Sequence, residues 1–556
     1  MTIQKMKQTS FEKPDFSDWE KQAVQSLKGK PFESLITKTI EGIDLQPLYT
    51  KEQLENVHIQ SRVTKKNAGW TIAQETIGTD GKSFLGNLQN SLARGNEAVV
   101  YDGKQPVQWD EASIGQLVKT IVKVPIVLSH VEANDPILTV FDAVPVAQRK
   151  NVSGLILHTR VTLPAGYENV RTASGDAWSV HHNGADAVTE LALVLSQAAE
   201  AATKYSAFDA FAKDFFVRFA VDTHFFMEVA KFRAFRLLWQ AFGKAYDANE
   251  IPDVPILATT SLRSYSKLDP HVNLLRAGNE AFAAVLGGAD VITVYPHNVL
   301  TGSTESAVRL ARNIQLVIRK ETHVGHVIDP AGGAYFMEAL TSELVEKAWA
   351  RFLEIEASGG TDAFLKSGQL AQLLAARQVE VATGKKALIG TNVYADLTEP
   401  LAQNDQQLLI ANRLAEPFEQ LREQFAVAQP QTVLLTFGEL KNFKPRADFV
   451  EGFLATGGIQ STWSPAFQSA QQAKEWLAQE KPDYAIVCAA SGETEQFVEG
   501  LLQAGVPNVI LDIAGKYDDK LSQKWQQAGI NGFLYAGQHK VDKLLDIKSK
   551  WQGGRA

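Results

Sequence analysis

The chain has 556 residues, 45% of them hydrophobic and 21% charged, with a net charge of −8. That balance describes a soluble, multi-domain globular protein and argues against nucleic acid or an anionic bilayer as partner. Cys488 is the only cysteine, so no intrachain disulfide can form; together with the polar start MTIQKMKQTSFEKPDF, this fits a cytoplasmic location. Residues 1–40 read as an extension. Trp19, Val24 and Leu27 fall at helical spacing, and Phe11, Phe16 and Phe32 add aromatic surface that a partner would cover. From 120 to 390, buried strands alternate with long helices. The expected strands are 124–131, 154–161, 215–222, 256–261 and 290–296. The expected helices are 186–204, 225–245, 271–287, 303–321 and 341–356, the last capped by Thr341. So many strand–helix units in a row predict a closed (β/α)8 (TIM) barrel.

Residues 396–430 lose the strand signals and read as a helical linker. The unit then repeats five times over 431–556, with strands at 432–438, 459–465, 484–490, 508–515 and 532–537. Helices follow near 446–456, 468–480, 493–504, 518–528 and 539–551, and Gly457, Gly505 and Gly529 sit where a left-handed terminal residue is needed. Five such units predict a doubly wound, flavodoxin-like domain whose ligand crevice lies at the carboxyl ends of its strands.

In a barrel, functional residues lie where strands meet the following loops. Arg160, Arg263, His297 and Asn298 occupy such positions, and His181 and His182 precede helix 186–204. An arginine and a histidine on one rim suit an acidic, acyl-type substrate; equally, each residue would satisfy a loop backbone or an interface. His323 and His326 are three apart, but a metal needs a third converging ligand, and Asp329 before Pro330 reads as a turn former. IDPAGGAYF (328–336) lacks the Lys-Ser/Thr of a phosphate loop. No nucleophile elbow, paired cysteines or His-Glu-x-x-His occurs.

FFMEVAKFRAFRLLW (225–239) and ARNIQLVIRKETHVGHVIDPAGGAYFMEALTSELVEKAW (311–349) resemble the barrel of the methylmalonyl-CoA mutase family, as do EGIDLQPLYT (41–50), GWTIAQE (69–75) and IGTNVY (389–394). The resemblance implies an acyl-CoA-binding barrel followed by a flavodoxin-like domain that binds adenosylcobalamin. The implied reaction is the radical interconversion of methylmalonyl-CoA and succinyl-CoA.

The residues that carry that chemistry are eroded. Cobalamin-binding members have Asp-x-His-x-x-Gly after the first strand of the last domain, whose imidazole ligates cobalt. Here the loop is GELKNFKPRAD (438–448), and no histidine occurs between His326 and His539. Catalytic members read Arg-Pro-Trp-Thr-Ile-Arg-Gln where this chain has NAGWTIAQ, with Ala73 at the second arginine. The family's Gly-Tyr-His places tyrosine on Trp178 and histidine on Ser179.

The resemblance is therefore to the small (beta), non-catalytic subunit of a heterodimer. It implies no catalytic residue, no metal and no cofactor on this chain. Adenosylcobalamin is expected on the homologous large subunit, and Ser179, His181, Arg263 and His297 would be remnants of a pocket. Two alternatives remain open: a self-sufficient cobalamin mutase, and a pseudoenzyme that binds acyl-CoA as a sensor.

Overall fold

The computed structural model describes residues 3–8, 14–54, 67–157, 161–399, 412–505 and 509–553. Arg160 and Phe11 lie outside these residues. Helix α1 (Phe16–Ser26) starts at Asp15, whose side chain accepts from Asp18 N while Asp18 returns a bond to the Asp15 backbone. No residue of α1 is fully buried. Trp19 packs instead on Phe16 and Phe32, with ring centroids 5.4 and 6.2 Å away.

After a short antiparallel pair, Thr37–Lys38 with Asp44–Leu45, the described residues next hold nine strand segments: β1 (Thr71–Ile72), β2 (Val99–Asp102), β3 (Ile126–Ser129), β4 (Ser153–Ile156), β5 (Asn169–Arg171), β6 (Ala173–Asp176), β7 (Phe215–Val221), β8 (Ile256–Thr260) and β9 (Val291–Thr293). All their pairings are parallel. One sheet runs β1-β9-β8-β7-β6 and another β2-β3-β4-β5. A parallel bridge from Glu75 to Val100 joins the sheets at one side. At the other side, Thr172 alone separates β5 from β6.

Side chains fill the space inside these strands. Ala73, Val100, Val127, Leu155, Leu157, Phe216 and Leu257 form one buried apolar cluster there. Outside lie helices α2 (Gly81–Leu92), α3 (Glu111–Ile121), α4 (Ala187–Ala202), α5 (Phe225–Ala245), α6 (Val272–Gly287), α7 (Glu305–Glu321) and α8 (Tyr335–Ala357). The first three and α7 each begin at an Asp or Thr whose side chain accepts a first-turn N–H: Asp80, Asp110, Asp186 and Thr304.

The start of one helix differs from the sequence reading. Helix α8 begins at Tyr335, not 341; Thr341 sits one turn inside and its hydroxyl donates to Met337 O at 2.6 Å. The true first turn has Ala334 at its head, with no side-chain cap to signal it. On α8 Leu344, Ala348, Phe352 and Ile355 are buried, while Leu353 is exposed.

Helix α9 (Glu416–Val427) leads into the last sheet, made of β10 (Thr432–Thr436), β11 (Ser461–Trp463), β12 (Tyr484–Cys488), β13 (Ile510–Ala514) and β14 (Gly532–Leu534). These run parallel in the order β11-β10-β12-β13-β14. Helices α10 (Leu440–Gly457), α11 (Ala470–Glu480), α12 (Thr494–Ala504), α13 (Asp519–Gln527) and α14 (Lys540–Gly553) connect and cover them. Gly505 and Gly529 are left-handed as expected, but the residue that ends α10 is Gly458 (φ 90°), not Gly457.

Leu268, Val381, Leu388, Leu414, Ala415 and Phe418 form an apolar cluster against which Val541 of α14 packs. Lys540 Nζ donates to Asn392 O at 2.5 Å. Among the described residues no helix is long and apolar enough to cross a membrane.

Candidate functional site

A short helix, Trp178–His182, follows β6 and turns two imidazoles inward. His181 is wholly buried. Its Nδ1 lies 2.6 Å from Glu190 Oε1 on α4, and its Nε2 lies 2.7 Å from Ser261 Oγ after β8. A carboxylate only accepts, so Nδ1–H donates to Glu190 and Nε2 accepts from the serine hydroxyl. Burial, and next the Arg263 guanidinium, hold this imidazole well below the ordinary histidine range, so it is neutral.

Glu190 also accepts from Lys231 Nζ at 2.8 Å, and Lys231 reaches Glu228 at 2.6 Å and Ala220 O at 2.8 Å. Burial alone would lower the lysine; the two carboxylates more than offset it and keep the ammonium charged. Burial pushes Glu228 up to about 7, despite Lys231.

Arg263 joins the same cluster. Its Nε and Nη2 donate to Asp222 Oδ2 at 3.0 and 2.6 Å, and its Nη1 to the carbonyls of His181 and Ala185 at 2.9 Å each. Burial would raise Asp222, but Lys386 and Arg263 hold it well below the usual carboxylate range.

The structure thus brings His181 and Arg263 together, yet uses up their polar atoms on one another's supports. Ser179 is exposed on the far side of its turn. His297 is elsewhere: it stacks on His271 at 5.5 Å, and its carbonyl accepts from Asn273. His182 donates Nδ1–H to Trp178 O at 2.7 Å and accepts from Leu262 N at 3.1 Å, so it too is structural. Asn298 donates to Thr304 Oγ1 at 3.3 Å.

His323 and His326 face each other edge-on at 5.7 Å, and no third donor converges on them among the described residues. Asp329 has a left-handed φ of 51° and pairs with Arg233 at 3.2 Å, a turn role as its sequence suggested.

Sequence reasoning missed Glu190, Asp222, Glu228, Lys231 and Glu280. The signal was present: Glu190 lies inside AVTELALVL and Lys231 inside MEVAKFRAF. Charged residues in apolar helix runs are buried only when paired.

Along the axis of the first strand set, the remaining cavity is about 20 Å³, lined by Asp102, Arg218, Leu257, Thr293, Tyr295 and neighbours. That is room for about one water. A wider cavity of about 800 Å³ lies where the β4-to-β5 connection carries no helix among its described residues; Asp176 on its wall accepts a bidentate pair of bonds, at 2.9 and 2.6 Å, from Arg218, which lines the small cavity.

At the carboxyl ends of the last sheet, the expected loop 438–448 is largely helix. α10 starts at Leu440 and carries Pro445 inside it, where proline gives up a backbone N–H. Only Phe437, Gly438 and Glu439 separate β10 from α10. Phe437 stacks on Phe497 at 4.2 Å. Arg446 spans the next strand ends, donating to Ser491 Oγ (2.9 Å), Thr494 Oγ1 (2.7 Å) and Tyr517 OH (3.2 Å). A Cβ on Gly438 would lie 2.8 Å from Glu493 Oε2. His539, the one described imidazole of this region, sits beyond β14 and pairs with Asp542 at 3.0 Å.

The family described as Methylmalonyl-CoA mutase matches residues 158–489, more than half of the chain. The chain belongs to this family. Its members include proteins similar along most of its length. The methylmalonyl-CoA mutase small subunit of Porphyromonas gingivalis is 26% identical, with 96% of each chain covered. The probable small subunit of Mycobacterium tuberculosis is 33% identical over 69% of this chain and 63% of its own length. The small subunit of Propionibacterium freudenreichii subsp. shermanii is 29% identical over 68% and 63%. The chain thus spans somewhat under two thirds of the length of the last two relatives. Within the family it resembles the small subunit.

Proposed function

We propose that this chain is the small, non-catalytic subunit of an adenosylcobalamin-dependent methylmalonyl-CoA mutase. In this reading it stabilises a homologous large subunit that holds both cofactor and substrate, in the cytoplasm. The nine strand segments form a closed eight-stranded barrel over 41–395, with β5 and β6 as one broken strand. Residues 396–430 link it to a flavodoxin-like domain over 431–556, whose strand order is the 2-1-3-4-5 pattern of that fold. Residues 1–40 lie against the partner, a reading supported by the absence of any fully buried residue in α1.

The observation that carries the proposal is the stretch after β10. The residues there do not fit a corrin held by a protein imidazole. Phe437, Gly438 and Glu439 offer no neutral nitrogen, the next residue already begins α10, and Arg446 bridges the adjoining strand ends. A lysine such as Lys441 is ordinarily protonated and here pairs with Glu439 at 2.8 Å. The filled barrel axis and the mutually satisfied His181 and Arg263 support the same reading. The erased pocket leaves the packed core and outer surface intact, which is what an interface role requires.

Co-expression with a homologous large chain tests this. The two should co-purify in equal amounts, with mutase activity requiring the large chain. Turnover of methylmalonyl-CoA by this chain alone, given adenosylcobalamin, would refute it.

A further inference from the structure

A cavity of about 430 Å³ lies away from the cluster around His181, between α2 and α7 and beside the chain leaving β1. Its walls hold three guanidinium groups, from Arg94, Arg309 and Arg312. Arg312 is only 5% exposed. Its Nη1 donates to Ser91 Oγ at 3.2 Å, its Nε is buried without a partner, and no carboxylate among the described residues pairs with any of the three arginines. The charges that bear on Arg312 are the cations Arg94 and Arg309, which together with burial make its own charge less favourable.

A buried guanidinium with one hydroxyl partner and two like charges nearby is a costly arrangement. A bound anion relieves it. The rest of the wall suits one. Thr76 presents a second buried hydroxyl without a partner. Ser303 and Ser306 flank the start of α7, a 17-residue helix whose amino end adds positive potential. Two carboxyls also line the cavity. Burial and Asp102 push Glu75 up to about 8, so it is largely uncharged at neutral pH; Glu305 is at the mouth, against three arginines.

We propose that this cavity is an anion site for a phosphate or phosphate-monoester group. Arg312 is the buried anchor, Arg94 and Arg309 close over the ligand from the rim, and planar guanidinium forks match phosphate oxygens in pairs. Glu75 lines both this cavity and the small one along the strand axis, and no residue of the last sheet borders it.

Thermal unfolding and titration calorimetry of the purified full chain test it, with inorganic phosphate and adenosine monophosphate as probes and chloride at matched ionic strength as control. A ligand that binds only the folded chain raises its stability saturably. The wild-type chain should show saturable binding of phosphate, and Arg94→Ala/Arg309→Ala should weaken it at least tenfold. General salting-out by phosphate acts on both proteins alike and so drops out of the comparison. Arg312→Met should abolish binding; should it fail to fold, the rim double variant carries the readout. Tighter binding of the monoester than of phosphate assigns the site to a nucleotide-like ligand, and equal binding assigns it to free phosphate. No binding beyond the chloride control, or equal binding by the double variant, overturns the proposal and leaves the arginines to a partner's carboxylates.

Discussion

His181 Nδ1 lies 2.6 Å from Glu190 Oε1, and neither side chain is exposed to solvent. A histidine with both nitrogens engaged and its carbonyl given to Arg263 is a framework residue. Replacing it with alanine strands Glu190 with Lys231 alone and leaves a gap. His181→Ala should therefore lose about 2–4 kcal/mol of stability in urea unfolding. If the variant is as stable as wild type, the cluster does not hold the fold.

The same two imidazoles make stability pH-dependent. His181 and His182 are held well below their ordinary values, by burial first and then by Arg263 and His181 respectively. The unfolded chain protonates them below about pH 6.5. There the unfolded state binds more protons, so their contribution is fully present above about pH 6.5 and is lost as pH falls toward the folded values. His182→Gln should flatten the acid side of the urea midpoint against pH. An unchanged slope would show that His182 does not contribute.

Glu280 works in the opposite direction. It is wholly buried, both carboxyl oxygens lack partners, and burial followed by Asp222 pushes it well above the carboxylate range. The folded chain holds this proton, so the contribution is present below the unfolded value near 4.5 and lost as pH rises. Glu280→Gln keeps the shape without that loss. It should stabilise by about 1.4 kcal/mol for each pH unit above the ordinary glutamate value, up to the folded one. The gain in melting temperature should be larger at pH 7.5 than at pH 5; equal gains would contradict a protonated Glu280.

Removing residues 1–30 should leave the isolated chain nearly as stable as before, because α1 has no fully buried residue. It should weaken co-purification with the large chain. A truncated chain that melts far lower, yet still co-purifies fully, would place the extension on its own barrel.

Much of the α/β alternation was legible because buried parallel strands read as apolar runs; Phe215–Val221 and helix Phe225–Ala245 stand almost where periodicity set them. The failures are local. The helix expected near 446–456 starts already at Leu440 and takes in Pro445, and Ala334 gave no cap to mark the start of α8. Of the site, sequence position put Arg263 and His181 on one rim. It did not reveal that Asp222 and Glu190, distant in the chain, hold them, because pairing across 41 and 9 residues has no local signature.

The assignment as a non-catalytic subunit depends most on the last sheet offering no imidazole to a corrin. Titration of the isolated chain with adenosylcobalamin, followed by visible absorbance, tests this most directly. Micromolar protein should leave the cofactor spectrum unchanged. A saturable, one-to-one spectral change would contradict the assignment of a silent partner.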